Sequence, residues 1–472
     1  DGDDLQRFPQ HNDPERRRRQ RVGQHARMRE LGYWVVDRVI EHLETLEVQP
    51  ALVTGDEHAL RTAVDAGLPR AGHDIASDLR TLADVVLAHQ QHGDHPRYFA
   101  RVPGPSSYPA VLAEWLGTGM QSIASSWVGG SGPTTVELTV LDWLRDAVGL
   151  SPTAEGVLVS GGSMANATAF VAARQAKGDG VFYICDQTHS SIARGLRSMG
   201  VPSEHIRTIT STADFAMDID ALRSAIAADR AAGRTPTVVV GTAGTTNTGT
   251  VDDLAALADL CAQEQLWLHV DGAYGGAAAM SPRHAHAFTG LDRVDSFSMD
   301  PHKWLFQPYD VACVWVREPG ALEAAFAMYP EYLADLRHGN VDLHNRGLEL
   351  SRRSRALKLW LAMRAYGMDT LALAIDRGIA LAEYAQRRIE ADPTLELVCP
   401  ARFGVVNFAG INKGNAAHSA AAAAITASGY AAVSSTVLKG RTVLRLCIIN
   451  PRTTTADIDG TIERLSAALR AQ

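Results

Sequence analysis

The sequence that decides the fold is Ser298-Met299-Asp300-Pro301-His302-Lys303-Trp304, in which a lysine comes a few residues after a short strand-like run and lies between apolar segments. A lysine in such a place is costly to bury as a cation. Burial should lower its pKa, and the resulting neutral amine can attack a carbonyl group. The alternative is a lysine at the edge of a strand, with its ammonium group reaching solvent. The motif alone leaves both interpretations open.

Short apolar runs like the one before Lys303 alternate with helical segments through the middle of the chain. They lack the in-and-out alternation of a half-exposed strand, which favours a sheet covered by helices on both faces. This rhythm predicts an α/β domain over about 95–345. The predicted strands are 157–159, 181–184, 238–240, 266–270, 297–299 and 311–316.

The flanking sequence predicts two further parts. Residues 1–94 have a mainly helical pattern, and residues 346–472 combine a long helix, from Arg352 to about Glu390, with a small terminal α+β domain. Inside the α/β domain, leucines spaced by three predict an amphipathic helix over 134–149 that ends at Gly149. The alanine-rich stretch 416–427 also predicts a helix, because alanine is the best helix former.

The composition limits the classes of function. The net charge is −8, which gives no support for nucleic-acid binding, and the basic run at 16–19 favours a solvated helix start over a binding arm. No apolar stretch reaches the roughly 18 residues of a membrane helix, and the N-terminus has no signal-peptide core. The five cysteines form no Cys-x-x-Cys pair. We therefore expect no metal site, no disulfides, no membrane association and a cytoplasmic location.

Polar motifs follow four of the other predicted strands, and ligands in open sheets bind beyond the carboxyl ends of strands. Ser160-Gly161-Gly162-Ser163-Met164 opens a helix and predicts either a phosphate cradle or a plain turn. Asp271 either pairs with a cationic ring nitrogen or caps a helix. His189 is either a stacking group or a structural histidine. Thr246 belongs to a loop that offers hydroxyls or is simply polar.

Taken together, these motifs predict pyridoxal 5′-phosphate (PLP) as the cofactor. PLP needs an anion cradle, a planar stacking group, a carboxylate that keeps the pyridine protonated, and an amine. The chain supplies all four, each directly after a predicted strand. Independent structural accidents would not readily give this set.

The motifs resemble those of the group II PLP-dependent decarboxylases, the family of aromatic-L-amino-acid, histidine and glutamate decarboxylases. The likeness is closest to the aromatic and bacterial members and runs from about Met28 to near the C-terminus. It implies PLP fold type I, the aspartate-aminotransferase fold, with a mostly parallel seven-stranded sheet between helices. It also implies a homodimer with shared active sites, in which residues 1–94 pack on the partner. The stretches that carry it are 98–100, 106–109, 160–168, 186–191, 269–274, 300–304 and 355–360.

The resemblance also implies residue roles. Lys303 matches the lysine that holds the cofactor as a Schiff base, and Asp271 matches the partner of the pyridine nitrogen. His189 and Ala273 match the residues on the two faces of the ring. The remaining cofactor positions match Ser163, Met164, Thr246 and His302. The substrate-pocket positions match Tyr98, Arg101, Val102 and Leu343.

The implied reaction is decarboxylation of a small-molecule L-amino acid through an external aldimine and a quinonoid, releasing CO2 and an amine. Leu343 stands where an ungapped alignment expects the family's proton-donating tyrosine, with Tyr332, His338 or His344 as alternative donors. The absence of a tyrosine at position 343 predicts an alternative reaction, oxidative deamination of the substrate to an aldehyde. A PLP-dependent β-lyase and a binding protein without turnover are more distant alternatives. Arg101 and Val102 replace aromatic side chains, so Arg101 either meets a polar or acidic substrate or lies on the surface.

Overall fold

The computed structural model of the protein describes residues 14–65, 67–102, 104–328 and 339–472. Contacts divide the chain into a first unit, Asp1–His92, and a second unit, Gly93–Gln472. The three-part division at residues 94 and 345 stays a prediction, as does the packing of residues 1–94 on a partner. None of the described helices is both long and apolar enough to cross a membrane.

The described part of the first unit is helical. It contains α1 (Pro14–Thr45), α2 (Glu57–Val64) and α3 (Ile75–Thr81), which continues into a π-helical turn at Leu82–Val86. Asp56 and Asp74 cap α2 and α3 by accepting a hydrogen bond from a backbone N–H of the first turn. The side chains of the basic run at 16–19 lie outside the described residues.

The described residues of the second unit form a seven-stranded sheet, in which only β7 runs antiparallel to its neighbours. The strand order is β1-β7-β6-β5-β4-β2-β3. This confirms the predicted mostly parallel α/β sheet. β3 escaped prediction because it lies at the edge and only Ile209 of its four residues is fully buried. The strands are β1 (Glu155–Val159), β2 (Val181–Cys185), β3 (Ile206–Ile209), β4 (Pro236–Thr242), β5 (Trp267–Asp271), β6 (Ser296–Met299) and β7 (Ala312–Val316).

Helices cover both faces of this sheet, and each face has its own apolar core. Val239 of β4 belongs to one core cluster, while its neighbours Val238 and Val240 belong to the other. Strands buried on both faces need no polar alternation, which explains the continuous apolar runs in the sequence. The helices are α4 (Tyr108–Gly119), α5 (Trp127–Val148), α6 (Gly162–Lys177), α7 (Ser190–Ser198), α8 (Ile219–Ala231), α9 (Leu254–Glu264), α10 (Pro301–Trp304) and α11 (Ala321–Phe326).

The rest of the second unit begins with two helices, α12 (Ala356–Tyr366) and α13 (Met368–Ala391). One long helix was expected here, but Gly367 interrupts it with a left-handed φ of 77°. An antiparallel sheet of order β10-β11-β9-β8 then packs against helices, and α14 confirms the alanine-rich helix. These elements are β8 (Leu395–Arg402), β9 (Val405–Gly410), α14 (Asn415–Ala427), β10 (Ser434–Leu438), β11 (Arg441–Cys447) and α15 (Thr455–Arg470).

Short 3-10 helices connect several of these elements. They lie at Leu46–Val48, Ser203–His205, Gly275–Met280, Ala285–Phe288, Leu291–Arg293 and Leu343–Arg346.

Candidate active site

A cavity of about 590 Å³ opens at the carboxyl ends of the parallel strands. Parallel strands end at the same edge of a sheet, so the loops after β1, β2, β4, β5 and β6 meet there. Ten of the predicted site residues line this one cavity. They are Arg101, Val102, Ser163, Met164, His189, Thr246, Asp271, Ala273, His302 and Lys303.

Lys303 lies on the short helix α10, and its ammonium nitrogen is 3.0 Å from Oδ2 of Asp300. Burial alone would lower the pKa of Lys303, but the carboxylates of Asp300 and Asp271 outweigh it and raise the pKa above its ordinary value. The expectation of a lysine neutralised by burial is therefore wrong for the protein without cofactor. The sequence analysis did not predict the ion pair between Asp300 and Lys303, although an acidic residue three positions before a lysine on a helix is a signal for such a pair.

Asp271 ends β5 and is almost fully buried. The backbone N–H of Ala273 donates to its Oδ1 at 3.0 Å, and the side-chain amide of Asn166 donates to its Oδ2 at 3.1 Å. Hydrogen bonds from neutral donors stabilise a carboxylate without neutralising its charge. These two donors hold the Asp271 carboxyl group in a fixed orientation at the cavity wall.

The first turn of α6 lines the same cavity with Gly162, Ser163 and Met164. Its first N–H groups have no acceptor within the helix and carry the positive end of the helix dipole. Gly162 packs so closely that a Cβ there would lie 3.0 Å from Oδ2 of Asp300 and 3.1 Å from the Cβ of Ala273. This bare turn fits a phosphate group, and the amine of Lys303 and the carboxyl group of Asp271 in the same cavity are the groups that the rest of PLP needs.

Two histidines complete the cofactor side of the cavity. Nδ1 of His189 lies 2.8 Å from Oγ of Ser191, and burial lowers the pKa of His189. His302 accepts a hydrogen bond from the Val311 N–H at Nδ1, which leaves its proton on Nε2, and its ring lies 4.5 Å from that of Tyr309. Burial lowers the pKa of His302 too. Both shifts favour the neutral form of the imidazole ring.

The predicted substrate-pocket residues do not all meet at the cavity. Tyr98 is buried and lies outside the cavity lining given by the described residues. Leu343 is fully buried in an apolar cluster with Val157 and Phe170, so the expectation that it faces the substrate is wrong. His344 beside it is also buried.

The remaining candidate proton donors, Tyr332 and His338, lie outside the described residues. The ungapped alignment that put Leu343 at the tyrosine position therefore finds no support in the contacts of Leu343.

Sequence reasoning missed Arg445 on β11, which lines the cavity although it is 3% exposed. Its Nη1 donates to the backbone oxygen of Arg101 at 3.1 Å. Within the part of the chain that the structure describes, Nε and Nη2 have no hydrogen-bond partner. An arginine inside the apolar run Val443-Leu444-Arg445-Leu446-Cys447 was the signal that could have revealed it.

Fold and cavity together define a PLP enzyme. The chain belongs to the pyridoxal-dependent decarboxylase family, whose conserved domain ("Pyridoxal-dependent decarboxylase conserved domain") matches residues 58–410. It is a PLP-dependent decarboxylase with PLP as its cofactor.

Three relatives show the range of similarity. The chain is 41% identical to the aromatic-L-amino-acid decarboxylase of Bacillus atrophaeus over 91% of this chain and 93% of that protein. It is 30% identical to a phenylacetaldehyde synthase of Arabidopsis thaliana, covering 90% and 92%. The crystal structure of Oryza sativa TDC with PLP and tryptamine superposes with a TM-score of 0.89 at 29% identity, covering 94% of this chain and 98% of that one.

Proposed function

We propose that the protein removes the α-carboxyl group of an aromatic L-amino acid and releases CO2 and an amine. The observation that carries this proposal is the convergence of Lys303, Asp271 and Arg445 on one cavity. The aromatic substrate class rests on the names of the similar proteins, such as the aromatic-L-amino-acid decarboxylase of Bacillus atrophaeus. When bound, PLP supplies an electron sink for the electron pair left behind by the departing carboxyl group.

Each cavity residue has a task that follows from its chemistry. Lys303 supplies the amine that holds the cofactor, and Asp271 holds a proton on the ring nitrogen by ion pairing. The first turn of α6, with Ser163 and Met164, binds the phosphate. His189 and Ala273 would flank the two faces of the ring. His302 would lie on the phosphate side, and Thr246 near the ring.

Arg445 is the group that fits the substrate carboxylate. A guanidinium offers two parallel N–H donors to a carboxylate, and a bidentate pair fixes orientation as well as adding energy. We assign this pair to Nε and Nη2 of Arg445, which are buried at the cavity and have no hydrogen-bond partner among the described residues. Arg101, whose backbone oxygen Arg445 contacts, then lies beside the same substrate end of the cavity.

The amine product is favoured over the aldehyde because the argument for an aldehyde depended on Leu343 facing the substrate, and that residue is buried in the core. The aldehyde remains the second candidate, since a phenylacetaldehyde synthase is among the similar proteins. The distinction depends on whether a proton donor, such as Tyr332, reaches the substrate carbon.

The test incubates purified protein and PLP with L-tryptophan, L-tyrosine and L-phenylalanine, with L-glutamate as the acidic comparison. CO2, amine, aldehyde and oxygen uptake are measured together. Amine in equal amount to CO2, without oxygen uptake, supports the proposal. Aldehyde with oxygen uptake supports the second candidate, and CO2 from glutamate alone contradicts the aromatic class.

A matched pair of variants tests the role of Arg445. Arg445→Met should raise KM by about 10- to 100-fold, the effect of losing a hydrogen-bonded charge pair. Arg441→Met is the control, because Arg441 lies on the same strand but pairs with Glu396. Equal kinetics for the two variants would refute this role.

The homodimer and the cytoplasmic location are also part of the proposal. Leu112 and Leu116 on α4, and Met120 directly after it, are large apolar side chains that are exposed in the single chain, and such a face is typical of an interface. Light scattering should give twice the chain mass of 50.7 kDa. Leu116→Glu should lower that mass, whereas Leu373→Glu, at an exposed leucine on α13, should leave it unchanged.

The five cysteines are buried and unpaired, which supports a reducing compartment.

A further inference from the structure

A chain of buried polar side chains supports Asp271 from behind and is not explained by the roles given above. All of its members are at most 4% exposed. We call it the support network; it consists of Trp267, Ser296, His269, Asn166 and Ser298.

The donors in the first half of the network follow from the chemistry of each group. The Trp267 indole has only a donor, and it donates to Oγ of Ser296 at 2.8 Å. The Ser296 hydroxyl proton is then free to point at Nδ1 of His269, which lies 2.8 Å away. Nδ1 can therefore accept, and the ring proton of His269 lies on Nε2, because the Asn166 amide that donates to the Asp271 carboxyl group turns its oxygen towards Nε2.

The second half of the network continues the chain of hydrogen bonds from His269 to Asp271, with the same direction of donors and acceptors. Nε2 of His269 lies 2.9 Å from Oδ1 of Asn166, and the Ser298 hydroxyl donates to the same oxygen at 2.6 Å. The amide orientation is fixed from both ends, since Oδ2 of Asp271, 3.1 Å from Nδ2 of Asn166, accepts from the NH2 group, and the two donors face Oδ1. A flipped amide would set an oxygen against the carboxylate and lose both donors.

The environment of His269 keeps this arrangement in a single state. Phe170 packs edge-on against the imidazole with the ring centroids 5.1 Å apart, which restricts ring rotation. Burial lowers the pKa of His269 to about 4, so the ring stays neutral through the physiological range. A second proton on Nδ1 would also require the Ser296 hydroxyl to turn its own proton away from the ring and to accept from both Nδ1 and Trp267.

We propose that His269 is a positioning residue that acts through Asn166 to hold the Asp271 carboxyl group aimed at the ring nitrogen of PLP. The proposal rests on the role given to Asp271 above. With the network intact, Asp271 keeps a donor on each oxygen and the ring nitrogen keeps its proton. When His269 no longer donates, the Asn166 amide loses one of the two contacts that prevent its flip.

The test compares His269→Phe and Ser296→Ala with the wild-type protein. Phenylalanine keeps the ring shape but removes both nitrogens, and alanine removes only the hydroxyl that fixes the imidazole proton. The control is His418→Phe, since His418 is an equally buried histidine on α14 that contacts the Gly410 N–H. PLP affinity is measured by fluorescence quenching of the protein freed of cofactor, and the absorbance of bound PLP is titrated against pH.

We expect His269→Phe to weaken PLP binding by about tenfold, as expected for a disturbed hydrogen bond to a charged group. Both network variants should move the midpoint of the absorbance titration to higher pH. The reason is that a less protonated ring nitrogen places less positive charge near the lysine–cofactor bond. His418→Phe should move neither quantity. A purely structural role would lower thermal stability without moving the titration.

The proposal is overturned if the network variants match wild type in both affinity and midpoint. Should His269→Phe not fold, Ser296→Ala carries the same test with a smaller change. Nitrogen NMR of histidine-labelled wild-type protein gives an independent check, because a His269 proton on Nδ1 also contradicts the proposal. Wild-type protein that binds no PLP would refute the cofactor site itself, a distinguishable outcome.

Discussion

Replacing Asp300 by asparagine should speed the attachment of PLP at neutral pH. Only a neutral lysine attacks the cofactor aldehyde. The Asp300 carboxylate lies 3.0 Å from the Lys303 nitrogen and helps to raise the pKa of Lys303, so most of the amine is protonated at pH 7. Asp300→Asn keeps the shape of the side chain but removes the charge, which lowers the pKa of Lys303 and enlarges the neutral fraction.

The size of this effect follows from the ion-pair distance. Two unit charges 3.0 Å apart attract by about 5 kcal/mol at an effective dielectric constant of about 20. The Lys303 side chain is 24% exposed to the cavity, so screening reduces this towards the roughly 1.5–3 kcal/mol typical of hydrogen bonds to charged groups. The expected acceleration at pH 7 is therefore about 10- to 100-fold.

The assay is stopped-flow absorbance after mixing cofactor-free protein with PLP at several pH values. Saturating PLP separates attachment from binding, because Asp300 also lies next to Gly162 in the phosphate cradle. The advantage of Asp300→Asn should shrink as pH rises, since the wild-type lysine then loses its proton too. Asp292→Asn, an exposed aspartate, controls for net charge. A variant that loads no faster than wild type at pH 7 would refute this account of Lys303.

Three further outcomes follow from the packing and the pKa values. Arg352→Met should destabilise the fold by about 3–5 kcal/mol in urea unfolding, because it leaves the carboxylate of Glu137 buried without its partner at 2.7 Å. Arg145→Met breaks exposed ion pairs and should cost less than about 1 kcal/mol. Equal losses of stability in the two variants would contradict this prediction. Leu343→Tyr should destabilise by about 1–3 kcal/mol through overpacking and leave the ratio of amine to aldehyde unchanged; a changed ratio would put this residue back at the substrate. Burial lowers the pKa of His269 in the folded protein to about 4, whereas in the unfolded chain the same imidazole has its ordinary pKa of about 6.5. As the pH falls from about 6.5, the unfolded chain therefore binds a proton at His269 before the folded protein does. About 3 kcal/mol of stability should be lost by pH 4, and His269→Phe should lose less over the same range; identical pH profiles would count against a neutral buried ring.

The fold could be predicted where local pattern and burial agree. The run Val238-Val239-Val240 faces a core on both sides, so its apolar continuity gave a correct strand. β3 lies at an edge, and Arg207 and Thr208 within it are partly or fully exposed, so no such pattern exists. The helix expected at 134–149 begins earlier, at Trp127, where Gly130 and Pro133 discourage a helical assignment.

The cofactor end of the cavity was also accessible from sequence, because its residues follow directly on strands whose ends must meet. The substrate end of the cavity could not be predicted from the sequence. Arg445 comes from a strand of the C-terminal sheet, and only the tertiary fold brings it to the cavity. The pairing of Lys303 with Asp300 depends on side-chain direction, which sequence spacing does not give. The prediction that Leu343 faces the substrate was wrong because an ungapped alignment carries no information about which way a side chain points.

The most direct test of the central claim is to locate the cofactor bond chemically. The protein is loaded with PLP, reduced with borohydride, digested and examined by mass spectrometry. The account predicts a single modified lysine, Lys303, in the peptide that contains His302 and Trp304, and no modification in Lys303→Ala. Modification of another lysine, such as the buried Lys358, or equal labelling of the Lys303→Ala variant would contradict it.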